Sequence, residues 1–174
     1  ISGTTSTAGA VIIPSTSSLT GFAQTVGIPS ATQPYTVSGN GLTNDVVVTP
    51  PVGYEISTDA GSTWGNNSSP LILPVSGGGI VGQPLTIAVR LNASSGGSYS
   101  GNISHASTGV TTATVSLSGF ALAPEPTTQS GITFGTVTGS SIAVDLSGGN
   151  GSNRILVART GAAVTWAPSD GNAV

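Results

Sequence analysis

In 174 residues the chain carries three cations (Arg90, Arg154, Arg159), six carboxylates and one histidine, a net charge of −3 with 5% of residues charged. Without clustered Lys and Arg to displace counterions, binding to nucleic acid or to an anionic membrane surface is argued against. Cys and Met are absent, which removes disulfide frameworks and thiolate metal sites, and no apolar run approaches the roughly eighteen residues of a membrane-spanning helix.

A mean hydropathy of +0.28 is too high for a disordered chain, so the sequence is expected to fold. It opens at Ile1 without an initiating Met, as a segment of a longer, processed protein would. Residues 1–14, ISGTTSTAGAVIIP, are small and polar up to Ala10, Val11, Ile12 and Ile13. They read either as the remnant of a preceding domain or as an extended segment offered to another subunit as a donated strand.

From residue 15 onward the pattern has period two, and no stretch free of Gly and Pro shows apolar residues at helical spacing. In LTIAVRLN, Leu85, Ile87, Val89 and Leu91 point one way and Thr86, Ala88, Arg90 and Asn92 the other, which is a strand with one buried face. Runs of the same kind occupy 34–39, 44–50, 54–59, 70–75, 98–105 and 111–119, separated by Gly, Asn, Asp and Pro clusters that supply turn conformations. Short strands at this spacing predict an all-β sandwich over residues 15–122. A Pro-rich linker follows at 123–127, and a second strand series starts at 128 with GITFGTV (131–137), SIAVDLS (141–147), RILVART (154–160) and AVTWAP (163–168).

Few residues suggest chemistry. The carboxylates Asp45, Glu55, Asp59, Glu125, Asp145 and Asp170 are scattered singly, unlike the paired acids of a glycosidase. Asp59 and Asp170 lie in turns, where bonding to local backbone explains them and a weak Ca²⁺ site is the alternative. His105, on the parity of Ile103, is expected to be a hydrogen-bonded structural residue at a strand end, and Gly-x-Ser-x-Gly is absent. No catalytic residue, cofactor or metal site is therefore assigned. Trp64, in GSTWGNN, is the candidate for stacking on a sugar, and Trp166 is expected in the second domain's core. Asn66, Asn67, Asn92, Asn102 and Asn150 head Asn-X-Ser/Thr sequons and are the candidate glycan acceptors.

The blocks YTVSG, GYEIS, VR, GSYSGNI and VSLSG, spread over about residues 19–119, resemble an immunoglobulin-like repeat of secreted, multidomain surface proteins of Bacteroidetes-type bacteria. EPTTQSGITFGTVTGSSIAVDLSGGNGSNRILVARTGAAVTWAPSDG resembles the opening half of the fibronectin type III-like domain that follows such repeats, with Leu146 where that family places a Trp. The resemblance implies an extracellular spacer, adhesin segment or assembly unit without enzymatic activity. It also implies that Tyr99 is a corner tyrosine bonding back to nearby backbone.

A complete sandwich of that second type needs about seven strands, and residues 128–174 offer four. Either the remaining strands lie in a longer polypeptide or a neighbouring subunit supplies them, and the expectation is a homo-oligomer or head-to-tail filament in which strand complementation is the means of assembly. Ala10, Val11, Ile12 and Ile13 would dock on a face carrying Ile132, Phe134, Ile142, Val144, Leu146, Ile155 and Val157. A carbohydrate-binding adhesive module centred on Trp64 and a passive spacer of a larger secreted hydrolase are the alternatives.

Overall fold

The computed structural model describes residues 9–151 and 155–165. The chain divides within the Pro-rich run into two units, Ile1–Ala123 and Pro124–Val174. Among the described residues there is no helix, and hence none long and apolar enough to cross a membrane.

The first unit contains β1 (Val11–Pro14), β2 (Ser18–Thr25), β3 (Gln33–Asn40), β4 (Val46–Thr49), β5 (Tyr54–Ser57), β6 (Leu71–Leu73), β7 (Val75–Ser76), β8 (Gly79–Ile80), β9 (Leu85–Leu91), β10 (Gly97–Ala106) and β11 (Ala113–Leu122). One sheet runs β1-β3-β9-β5, the other β2-β11-β10-β4-β6, and β7-β8 is a separate ribbon. The result is an immunoglobulin-like β-sandwich. Its core is the inward half of each alternating strand: Tyr35 and Val37, Tyr54 and Ile56, Ile87, Val89 and Leu91 from one sheet, facing Val46 and Val48, Ile103, Val115 and Leu117 from the other. Each such aliphatic side chain, fully withdrawn from water, is worth about 1.5–3 kcal/mol.

The segment expected to be donated to another subunit has a mate in its own chain. Val11–Pro14 pairs antiparallel with β3, Ile12 opposite Gly39 and Ile13 opposite Ser38, and Ile12 is buried in the core. Pro14 brings no N–H, and Ser15 continues the pairing: its N–H donates to the Thr36 carbonyl (2.8 Å) and its Oγ accepts from the Thr36 N–H (2.9 Å). The chain then changes sheets and returns as β2, parallel to β11.

Strand β2 escapes a search for strict alternation because Gly21, at φ +76°, takes up an extra residue opposite β11. The half-buried Leu19 and the buried Phe22 are therefore three positions apart, while Phe22 and Gln24 are two apart. Close approach has a second glycine requirement at Gly119, where a Cβ would lie 2.7 Å from both Cβ and O of Phe22 and 2.9 Å from the Tyr54 hydroxyl.

In the second unit, β12 (Ser130–Val137) and β13 (Ile142–Gly148) form an antiparallel ribbon with Ile132 opposite Leu146 and Phe134 opposite Val144. Thr138 and Ser141 close its turn, the Thr138 N–H donating to the Ser141 carbonyl (2.8 Å) and the Thr138 Oγ1 accepting from the Ser141 N–H (3.0 Å). Asn150 ties the ribbon's base, accepting from the Thr128 N–H at 2.9 Å and donating to the Thr127 hydroxyl at 3.0 Å. The strands expected at 154–160 and 163–168 do not form where the chain is described: residues 155–159 and 163–165 are irregular.

Candidate functional site

An apolar surface that meets no core among the described residues lies on the β12–β13 ribbon. Period-two alternation puts Ile132 and Phe134 on one face with their cross-strand neighbours Leu146 and Val144, while Thr133 and Asp145 take the other. Ile132 is 49% exposed, Phe134 69% and Ile142 50%. Ile155 joins Ile132 and Leu146, with Pro126, Ser130 and Gly151 among their neighbours, around a shallow hollow of about 240 Å³. Val157, 40% exposed, is not in that lining. Five of the seven residues expected as an acceptor face thus share the ribbon, a sixth, Ile155, lines the hollow with two of them, and Val157 does not line it. Ala10, Val11, Ile12 and Ile13 belong to the first unit. Ala10 abuts Gly41, Ile12 is in the core, and Val11 and Ile13 are exposed on the outer face of edge strand β1.

Trp64 is engaged by its own chain. The Arg90 guanidinium sits 3.8 Å from the centroid of its ring and is held by Glu55, with Nη2 and Nε each 2.7 Å from Oε2. Asn92 Nδ2 donates to the other Glu55 oxygen at 2.9 Å. Gly61 approaches the ring edge, where a Cβ would stand 3.2 Å from Cζ2. The stacking that sequence reading reserves for a sugar is thus met on one ring face by a cation. Sequence reading missed this cluster: the shared outward parity of Arg90 and Asn92 on β9 was readable, but that Glu55 stands opposite Arg90 is a long-range pairing of β5 with β9.

Asn66 Oδ1 accepts from the Ser68 and Ser69 N–H groups (2.9 and 3.0 Å), and Asn67 Nδ2 donates to the Pro50 carbonyl at 3.2 Å. With Asn92 and Asn150 bonded as described, four sequon side chains serve local structure. Asn102 projects outward from β10, opposite Ser116.

Asp59 is saturated by its own turn. Oδ2 accepts from the Thr63 hydroxyl (2.6 Å), and Oδ1 from the Thr63 N–H (2.9 Å) and the Ser57 hydroxyl (2.7 Å). The Thr63 bonds first, then that of Ser57, lower its pKa to about 2. Among the described residues no group of three His, Cys, Asp or Glu could hold a metal ion. Arg154, Trp166 and Asp170 lie outside the described residues. The Tyr99 hydroxyl donates to the Ser95 carbonyl at 2.9 Å, the corner bond expected of it. His105 is fully buried, with Nε2 2.7 Å from the Tyr35 hydroxyl.

No protein-family model and no curated protein matches the chain. Among the solved structures that resemble it are the following two. The ASH/PapD-like domain 7 of human CEP192 is 13% identical, with 72% of this chain and 94% of that chain covered at a TM-score of 0.39. The CooA pilin subunit from enterotoxigenic Escherichia coli is 12% identical, with 68% and 100% covered at a TM-score of 0.37. The assignment of an immunoglobulin-like sandwich stands on the chain's own two sheets, and these likenesses carry no functional conclusion.

Proposed function

We propose that the chain is a non-enzymatic structural module of an extracellular bacterial fibre or surface adhesin. In this reading the first sandwich is a self-contained segment, and the second unit, of fibronectin type III type, is completed by a strand from a neighbouring copy. The observation that carries the proposal is the uncharged, half-exposed apolar face of the β12–β13 ribbon. A two-stranded ribbon is marginal in water by itself, and its outer backbone groups template a further strand. The face carries no charge, since Asp145 is on the opposite side, so an equally uncharged strand is the fitting mate, and this chain is rich in such strands. Strand β1 is not free to be that mate unless it leaves β3 and withdraws Ile12 from the core.

The test is sedimentation velocity and electron microscopy of the whole chain beside an Ile132→Ser/Phe134→Ser variant. Concentration-dependent oligomers or filaments in the parent, lost in the variant, are expected. A parent that stays monomeric over the same range while its β12 and β13 amides are strongly protected from hydrogen exchange would mean that the ribbon is covered within its own chain, and the proposal would fall.

A further inference from the structure

The chain's single histidine lies in its core, bridging the two sheets. His105 projects from β10, and Tyr35 reaches it from β3 in the opposite sheet, with Nε2 and the hydroxyl oxygen 2.7 Å apart and the rings edge-on at 5.6 Å and 89°. Nδ1 lies 3.2 Å from the Ala113 carbonyl on β11. A carbonyl only accepts, so Nδ1 carries the hydrogen and Nε2 accepts from the Tyr35 O–H. This neutral tautomer satisfies all three groups.

We infer that this joint is an acid-sensitive latch: uptake of one proton by His105 loosens the two sheets of the first sandwich. Protonation turns Nε2 from acceptor into donor and drives the Tyr35 hydrogen off the line between the rings. It also places a full charge in a dry core. Among the described residues nothing facing the imidazole offsets that charge. From β3 it meets the Tyr35 hydroxyl, from β11 the Ala113 carbonyl, and on β4 its register partner is Val48. The unit's described carboxylates are engaged elsewhere: Asp45 accepts from the Val75 N–H, Glu55 holds Arg90 and Asn92, and Asp59 serves its turn. Arg90, the described cation of this unit, stacks on Trp64. Burial accordingly holds the imidazole below its ordinary value, with the Ala113 carbonyl pulling the other way.

The sign follows from linkage. The unfolded chain takes up this proton near pH 6.5 and the folded chain resists it, so stability is complete above about pH 6.5 and falls as the pH drops below it. The unfolding constant rises up to about tenfold per pH unit. Above roughly pH 4.5 ordinary carboxylates contribute little, which isolates the effect.

Because there is one histidine, the imidazole gives one set of carbon-bound proton resonances, and its titration in the folded protein between pH 8 and 4.5 is the direct test. The latch predicts no titration near pH 6.5, with the neutral signal persisting until unfolded signals replace it. A folded-state midpoint near 6.5 would overturn it. Urea unfolding over the same range gives the second reading, with the parent midpoint falling below pH 6.5 and that of His105→Gln, which keeps an acceptor for Tyr35, staying flat. A slope that survives in His105→Gln also overturns the inference. If that variant does not fold, the parent's imidazole titration decides alone.

Discussion

In β9, Ile87, Val89 and Leu91 alternate with Thr86, Ala88 and Arg90, and all three are fully buried. In β12, Ile132 and Phe134 alternate with Gly131 and Thr133 in the same period, and both remain half exposed or more. The difference teaches what alternation specifies. A period of two assigns residues to a face, but only a second layer removes that face from water. For β9 the layer is the opposing sheet of the same unit. The described part of the second unit contains one ribbon and no second sheet.

The contrast can be broken most forcefully from the inside. Leu91→Ala should lower the stability of the first sandwich by about 2–5 kcal/mol, read by urea or thermal unfolding. Phe134→Ala should shift the same transition by less than about 0.5 kcal/mol, as an exposed side chain does, while altering self-association. Equal losses in the two variants would show that the ribbon face is as deeply covered as the core. Gly119→Ala comes next. Its Cβ meets backbone as well as side chain at Phe22, so the sheet must shift, at a cost of about 1–3 kcal/mol in the same measurement.

On the sandwich surface the expected effects shrink. Arg90→Ala removes the stacking on Trp64 and the Glu55 pair, both partly solvent-exposed, and should cost about 1 kcal/mol. A blue-to-red change in Trp64 fluorescence, resolved against Trp166 in a Trp166→Phe background, would report loss of the cover. The smallest effect belongs to Asp59. Its folded pKa, about 2, is below the ordinary 3.8, so the turn is fully supported above about pH 4 and loosens as the pH falls from there toward 2. Protection of the Gly61 and Thr63 amides, taken relative to their intrinsic exchange rate at each pH, should fall over that window in the parent and stay constant in Asp59→Asn.

Much of the first sandwich was legible in advance. Strands β3, β4, β5, β6, β9, β10 and β11 each overlap an alternating run, since side-chain direction is set locally by the backbone. Strand β2 was not legible, because Gly21 shifts the phase of its alternation partway along. The fate of Val11–Pro14 was not legible either: an uncharged VIIP fits an own-chain edge and a neighbour's edge equally well, and pairing with β3 is a long-range choice. Likewise Trp64 in a polar loop looks available until the pairing of Glu55 with Arg90 across β5 and β9 brings a guanidinium onto its ring.

What the sequence determined by itself is the all-β class, the inward and outward parity of most strands, and a surface solvated by hydroxyls and amides instead of charges. These are properties of adjacent residues. The tertiary structure decided which strands became neighbours, and with that the pairing of β1 with β3, the covering of Trp64 and the meeting of Tyr35 with His105, 70 residues apart in the chain. Partner choice depends on loop closure and on competition among many uncharged strands of similar affinity, and no local pattern encodes its outcome.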